Sequence, residues 1–399
     1  MLAKAFFVGF IALLAAVEFG QVTVRLPFPP GVEYDYMAEP PAEGLPLKWD
    51  KGFKVENDVL TKAKFVLADE IVGVETVAVA PDGKLGLVDR FGKIFIATPD
   101  GRGGYSIPKE PLAYSSPGRT LGVKFDADGD LYMANSPLGL LQLVAPGDAE
   151  NQKLVLATGR ISDESPLLPG YPVEFANALD IASDGTVYFS SSTDVLAYKT
   201  EDSSWDVLDS VFVTIAKGAP AGMLLAYHPS NGSTIALMDK LWFGNGVALS
   251  PAEDYVLVAD SIQMRIHRYW LQGPKAGSSE VFMDNLPGPP DGISLAGDGV
   301  NFWVTIYSEP SALMSLTHIR LVRVLTAWAP RLMRLLGVQM PRRGVVLKVS
   351  PQGQVLQVLG DATGKVMYGV TSAVEADGKL FLGTIRRKGV PVLDLKAIQ

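Results

Sequence analysis

Six times along this chain, a few apolar residues lead into a tight polar turn and out again as an alternating strand. The copies are VAVAPDGKLGLVD (77–89), VKFDADGDLYMAN (123–135), LDIASDGTVYFSS (179–191), VALSPAEDYVLVAD (247–260), ISLAGDGVNFWVT (293–305) and AVEADGKLFLGT (373–384). Asp-Gly between two β-rich runs is a strong hairpin signal. Five of the copies carry it, and the fourth turns on Pro-Ala-Glu-Asp instead. The copies start about 45 to 80 residues apart, which leaves room for two further strands in each. Six repeats of about four strands predict an all-β protein, a six-bladed β-propeller around a channel. A β-sandwich, the other architecture rich in hairpins, does not require one hairpin six times. The 40 glycines and 28 prolines agree with so many turns.

Counting back from each turn finds a second regularity. Glu75, Asn177 and Asp291 each stand seven residues before the aspartate of their turn, at Asp82, Asp184 and Asp298. Asn245 stands six before Pro251, as Glu75 stands six before Pro81. The other two copies place Leu121 and Val370 in this slot. Inner strands line a propeller's channel and begin at one mouth, so four oxygen-bearing side chains are expected to converge there. Two carboxylates and two amides suit a hard cation, best matched by calcium with its 6–8 oxygen ligands. Glycines on both sides of Asn245 allow close backbone approach. The chain has no cysteine and three histidines, His228, His267 and His318. Thiolate and zinc–sulfur chemistry are therefore excluded, and no Gly-x-Ser-x-Gly elbow marks a serine hydrolase. A net charge of −8 argues against nucleic acid as a partner.

The phrases VGVETVAVAPDG, RTLGVKFDADGDLYMANSPLGLLQL, FANALDIASDGTVYFSSS, WFGNGVALSPAEDYVLVAD and LPGPPDGISLAGDGVNFWVTI resemble the strictosidine synthase-like family. Its animal members include the adipocyte plasma membrane-associated proteins, and the likeness runs from about Asp50 to the end. The resemblance implies the six-bladed propeller shared with paraoxonases and the gluconolactonase/regucalcin group. It also implies a calcium in the channel held by Glu75, Asn177, Asn245 and Asp291, and hydrolysis of esters or lactones with Asp291 as the base. Four departures stand out. Relatives often have Asn-Asp at Asn177-Ala178 and Asp-Asn at Asp291-Gly292, and the paraoxonase histidine falls near Leu121. The glutamate used by strictosidine synthase falls on Thr371, and a threonine cannot take up and return a proton at neutral pH.

The expected function is a calcium-dependent hydrolase of small hydrophobic esters or lactones, arylesterase- or lactonase-like, with Asp291 activating water and Glu75 in reserve. The alternatives are a strictosidine synthase-type amine–aldehyde condensing enzyme and a non-catalytic binding propeller. At the amino terminus, Lys4 precedes an uncharged run over residues 5–17, closed by Glu18. That run is short for a membrane span and suits a signal-peptide core. Residues 1–24 are therefore expected to be a signal peptide or anchor, 25–60 a linker into the domain, and 61–399 the propeller. The chain would enter the secretory pathway, its propeller lumenal or extracellular on the endoplasmic reticulum or another membrane, or secreted if the signal is cleaved. The sequon Asn231-Gly232-Ser233 fits a glycoprotein surface loop. Residues 311–343 hold six arginines and no acidic residue. They read as a helical insert before the last blade, split at Pro330 into two short helices. Such an insert can pack on the propeller, cover the channel as a lid, or contact a membrane surface.

Overall fold

The computed structural model describes residues 55, 57–200, 202–309, 316–336 and 342–398, with two isolated positions, Ala12 and Ala15, nearer the start. The expected signal or anchor segment and most of the linker lie outside the described residues. The rest forms six antiparallel blades, each beginning on the inner strand of one repeated hairpin. Blade one runs Val77–Val79, Leu85–Val88, Lys93–Pro99 and Tyr105–Ser106. Blade two is Arg119–Phe125, Leu131–Ser136, Gly139–Val144 and Lys153–Thr158. Blade three is Ala176–Ile181, Val187–Ser191, Gly222–His228 and Ser233–Leu241. Blade four is Gly244–Leu249, Tyr255–Asp260, Arg265–Trp270 and Ser279–Met283. Blade five is Pro290–Leu295, Phe302–Ile306, Gly344–Val349 and Val355–Asp361. Blade six has Val370–Ala376, Lys379–Thr384 and Val390–Asp394, and takes its outer strand, Lys64–Val66, from before blade one. Phe65 lies opposite Pro391 in that pairing, so strand exchange closes the ring.

The second strand of each hairpin explains why these runs are apolar throughout instead of alternating. In blade four, Tyr255, Leu257 and Ala259 pack toward blade five, while Val256 and Val258 pack toward blade three. The same division recurs around the ring, and an apolar cluster fills every interface between neighbouring blades. Burial on both faces is the main stabilising term, at roughly 25 cal/mol per Å² of apolar surface removed from water.

A β-bulge near the start of the inner strand positions the site. In blade four, Gly244 pairs with Asp260 and Val247 with Val258, so Asn245 and Gly246 oppose the single residue Ala259. Asn177–Ala178, Asp291–Gly292 and Thr371–Ser372 form the same bulge in blades three, five and six. Bulges re-aim side chains beside functional sites. This register corrects the count made from the turns, because Thr371, and not Val370, is the sixth blade's equivalent of Asn245. Blade six turns tightly, with Ala376 paired to Lys379, whereas blade five spans from Leu295 to Phe302. The shorter turn shifts the count by one.

Two helices interrupt the blades, both between a second and a third strand. Helix α1, Leu208–Lys217, belongs to blade three, and helix α2, Arg320–Leu336, to blade five. The basic insert therefore sits within blade five. It is one helix running through Pro330, at the cost of the hydrogen bond a proline cannot donate. Inner strands leave the mouth that holds the bulges and second strands return to it, so α1 and α2 emerge beside that mouth and pack on each other. The α1 run is rich in β-branched residues, but the Asp206 carboxylate accepts the backbone N–H groups of Leu208 and Asp209 and starts the helix. Gly218 ends it in the left-handed conformation at φ 71°. Asn231 is exposed on the turn between the third and fourth strands of blade three.

Candidate active site at the channel mouth

The structure brings all four expected ligands together. Glu75, Asn177, Asn245 and Asp291 are buried and line one cavity of about 160 Å³ at the bulged mouth. Leu121 and Thr371 complete the ring, while Phe175, Phe243 and Met264 form apolar walls with Val211, Phe212 and Ile215 of α1.

One device orients both asparagines. Asn177 Nδ2 donates to Ser192 Oγ at 2.9 Å, and that hydroxyl donates to the Gly244 carbonyl at 2.6 Å. Asn245 Nδ2 donates to Ser261 Oγ at 3.2 Å, and that hydroxyl donates to the Pro290 carbonyl at 2.6 Å. Each serine directly follows the second strand of its blade and reaches the residue just before Asn245 or Asp291 in the next blade. The amide donors are thus engaged within the ring, and no described donor reaches either Oδ1. Thr371 Oγ1 and Ser372 Oγ both donate to the Glu75 carbonyl, at 2.7 and 2.8 Å, which stitches blade six to blade one.

The carboxylates are held against their own solvation. Burial raises Glu75 from the ordinary 4.5 to about 7, and the Arg119 guanidinium offsets part of that rise. Burial also pushes Asp291 well above the usual carboxylate range. The Glu75 charge adds to that shift, and a hydrogen bond from Asn245 opposes it. Arg119 is itself buried and donates to the carbonyls of Gly73 (2.9 Å) and Ile385 (3.4 Å). Glu75 Oε2 is buried without a hydrogen-bond partner among the described residues. An orphaned carboxylate oxygen, a second buried carboxylate and two amide oxygens fit a hard cation. No group of three or more His, Cys, Asp or Glu forms a cluster among the described residues, so a cation here depends on the amides. Gly292 is held to glycine by its surroundings. A Cβ there would lie 2.5 Å from the Thr371 carbonyl oxygen.

Sequence reasoning missed Arg119, the two serines and the α1 wall. The serines carried a signal, since Ser192 and Ser261 follow the second strands of blades three and four at matching places. Arg119 carried none, because its partner Glu75 comes from the neighbouring blade.

The fold and site define a six-bladed propeller with a buried carboxylate–amide ring at one channel mouth. Residues 177–274 match the family model described as strictosidine synthase. Strictosidine synthase-like protein 3 of Arabidopsis thaliana is 31% identical over 89% of this chain and 90% of its own length. Adipocyte plasma membrane-associated protein of Gallus gallus is 30% identical over 99% of this chain and 92% of its own. The chain belongs to the strictosidine synthase-like family. Among solved structures, a gluconolactonase from Xanthomonas campestris aligns with TM-score 0.54 at 15% identity, over 84% of this chain and 90% of that one. A luciferin-regenerating enzyme aligns with TM-score 0.51 at 12% identity, over 83% and 94%. At these identities the likeness bears on fold alone.

Proposed function

We propose that this chain is a calcium-dependent hydrolase of small, uncharged, hydrophobic esters or lactones, working at the bulged mouth of the channel. The observation that carries this reading is the buried pairing of Glu75 and Asp291 beside two asparagines whose amide donors are engaged within the ring. Glu75, Asn177, Asn245 and Asp291 would hold the cation. When bound, calcium supplies a Lewis acid that stabilises negative charge developing on a carbonyl oxygen. Asp291 takes the proton of the attacking water and returns it to the leaving oxygen. Burial and the neighbouring Glu75 charge raise Asp291 in the metal-free ring, and a bound cation would oppose that rise. The walls of Leu121, Phe175, Phe243 and α1 exclude bulk water, and Glu309 at the rim is neutralised by its ion pair with Arg343. Both features favour an uncharged substrate, and a cavity of about 160 Å³ limits it to a small acyl or ring group. The name of the Gallus gallus relative supports a membrane-associated setting, and the uncharged run over residues 5–17 supports entry into the secretory pathway. Among the described residues, no helix is long and apolar enough to cross a membrane.

Calcium titration calorimetry on chelator-stripped protein, followed by aryl-ester and lactone turnover, tests this function. Asp291→Asn is expected to lower turnover by on the order of 100-fold or more. Full turnover by that variant with calcium still bound would remove Asp291 as the base. Ser261→Ala frees the Asn245 amide to rotate and is expected to weaken calcium about 10-fold, read in the same calorimeter. Unchanged affinity would show that the serine does not position the ligand. The condensing-enzyme reading loses ground at Thr371, whose hydroxyl is committed to the Glu75 carbonyl.

A further inference from the structure

Among its described side chains, helix α2 buries two arginines and exposes two leucines. Arg320, Arg323, Val324 and Ala327, three and four residues apart, form its buried stripe. Leu325 and Leu332, seven apart and therefore on one face, are 54% and 46% exposed, and Leu316 just before the helix is 40% exposed. Arg323 explains the orientation. Its Nη1 donates to the carbonyls of Thr317 and His318, and its Nε would lie 3.0 Å from a Cβ on Gly218, where α1 ends. The negative end of the α1 dipole thus receives a buried cation. The arginines fasten α2 to the roof of the site, and the leucines are left facing outward.

The same mouth face carries a set of exposed cations. Arg386 and Lys388 are exposed on the blade-six loop that follows the second strand. Arg342, also exposed, lies just before the third strand of blade five with its guanidinium 4.7 Å from the Tyr368 ring. In a chain of net charge −8, this sector concentrates positive charge. Exposed acids share this side of the face, Glu309 paired with Arg343 and Asp69 and Glu70 in the turn beside Lys388. Arg342, Arg343, Arg386, Arg387 and Lys388 outnumber them, and Asp163 and Glu164 lie across the ring between blades two and three. Exposed aliphatic side chains that share a mouth face with arginine and lysine match one surface above others. In an anionic bilayer, leucines enter the acyl boundary while cations meet lipid phosphates.

We propose that the α2 side of the channel mouth docks on anionic lipid membranes, with α2 lying in the interface and the mouth turned toward the bilayer. The residue 5–17 run can itself partition into lipid, so binding of the whole chain does not decide the matter. The environment of α2 does. The chain has no cysteine, which makes single-site labelling clean. The full chain carrying Leu325→Cys or Leu332→Cys is labelled with an environment-sensitive fluorophore and mixed with vesicles of phosphatidylcholine and phosphatidylserine. Both labels are expected to shift to the blue and resist an aqueous quencher. A label at Val300→Cys, 51% exposed on the opposite mouth, is expected to stay in water. Adding Arg386→Glu and Lys388→Glu should raise the lipid needed for half the shift about tenfold with the anionic vesicles, and little with phosphatidylcholine alone. Three results would overturn the proposal. One is an α2 label that stays quenchable while the chain floats with vesicles. Another is a Val300→Cys label that shifts equally. The last is shielding of the α2 labels without lipid as protein concentration rises, which would assign the face to a second copy.

Discussion

Gly246→Ala is expected to destabilise the propeller by about 4 kcal/mol or more, while Gly244→Ala, two residues away, costs about 1 kcal/mol. The contrast follows from what each new methyl would meet. At position 246 a Cβ lies 2.5 Å from Ile293 N, and closer still to the Asp291 carbonyl oxygen. Both are backbone atoms of the next inner strand, so the two strands themselves would have to part. At position 244 the nearest atoms are a flexible end of the Leu241 side chain and the Ser191 carbonyl, each 3.2 Å away. A shift of a few tenths of an ångström relieves that contact. Urea unfolding of both variants measures the difference. The closing of blades four and five also sets where Asp291 sits, so Gly246→Ala should lose calcium affinity along with stability. Equal losses from the two substitutions would mean that the inner strands can spread, and that the mouth is not rigidly built.

The same closeness explains what could be read from the sequence and what could not. The blade count was legible because each hairpin carries its own turn chemistry, and local chemistry is written in adjacent residues. The convergence of Glu75, Asn177, Asn245 and Asp291 was legible because blades one, three, four and five keep one distance from that position to the turn. Blade six broke that count, since its tight turn between Ala376 and Lys379 moved the slot from Val370 to Thr371. Only strand register, a property of paired segments, shows this. Helix α1 was hidden by its β-branched residues Val211, Val213, Thr214 and Ile215, which favour strands until an aspartate cap and packing on α2 decide otherwise. The expected break at Pro330 rested on the local cost of a proline, and the continuous helix shows that this cost was outweighed. Arg320 and Arg323 read as surface charges by type but are buried, since the acceptors of Arg323 lie in the turn before its own helix.

Chelator-treated protein is expected to lose stability as pH rises from about 4.5 to about 7, on the order of 3 kcal/mol from Glu75 alone. Burial raises the folded pKa of this carboxyl, so the folded state binds its proton more tightly than the unfolded chain does. The contribution is complete below pH 4.5 and is lost as pH passes through about 7. Asp291, also raised, acts in the same direction. Carboxylates stabilised by hydrogen bonds act oppositely, but in another window. Asp184 accepts the Thr186 N–H, sits below its ordinary 3.8, and its contribution is lost only in stronger acid. Saturating calcium should reverse the slope, because the cation takes the place of the protons and binds the charged pair more tightly as pH rises. Glu75→Gln separates the two effects. It removes a buried charge, so it should stabilise the chelated protein at pH 8 while abolishing the gain from calcium. Thermal melts of parent and variant across this range, with chelator and with calcium, measure both. If calcium stabilised Glu75→Gln as much as the parent, the two-carboxylate site would have to be given up, and the hydrolase reading with it.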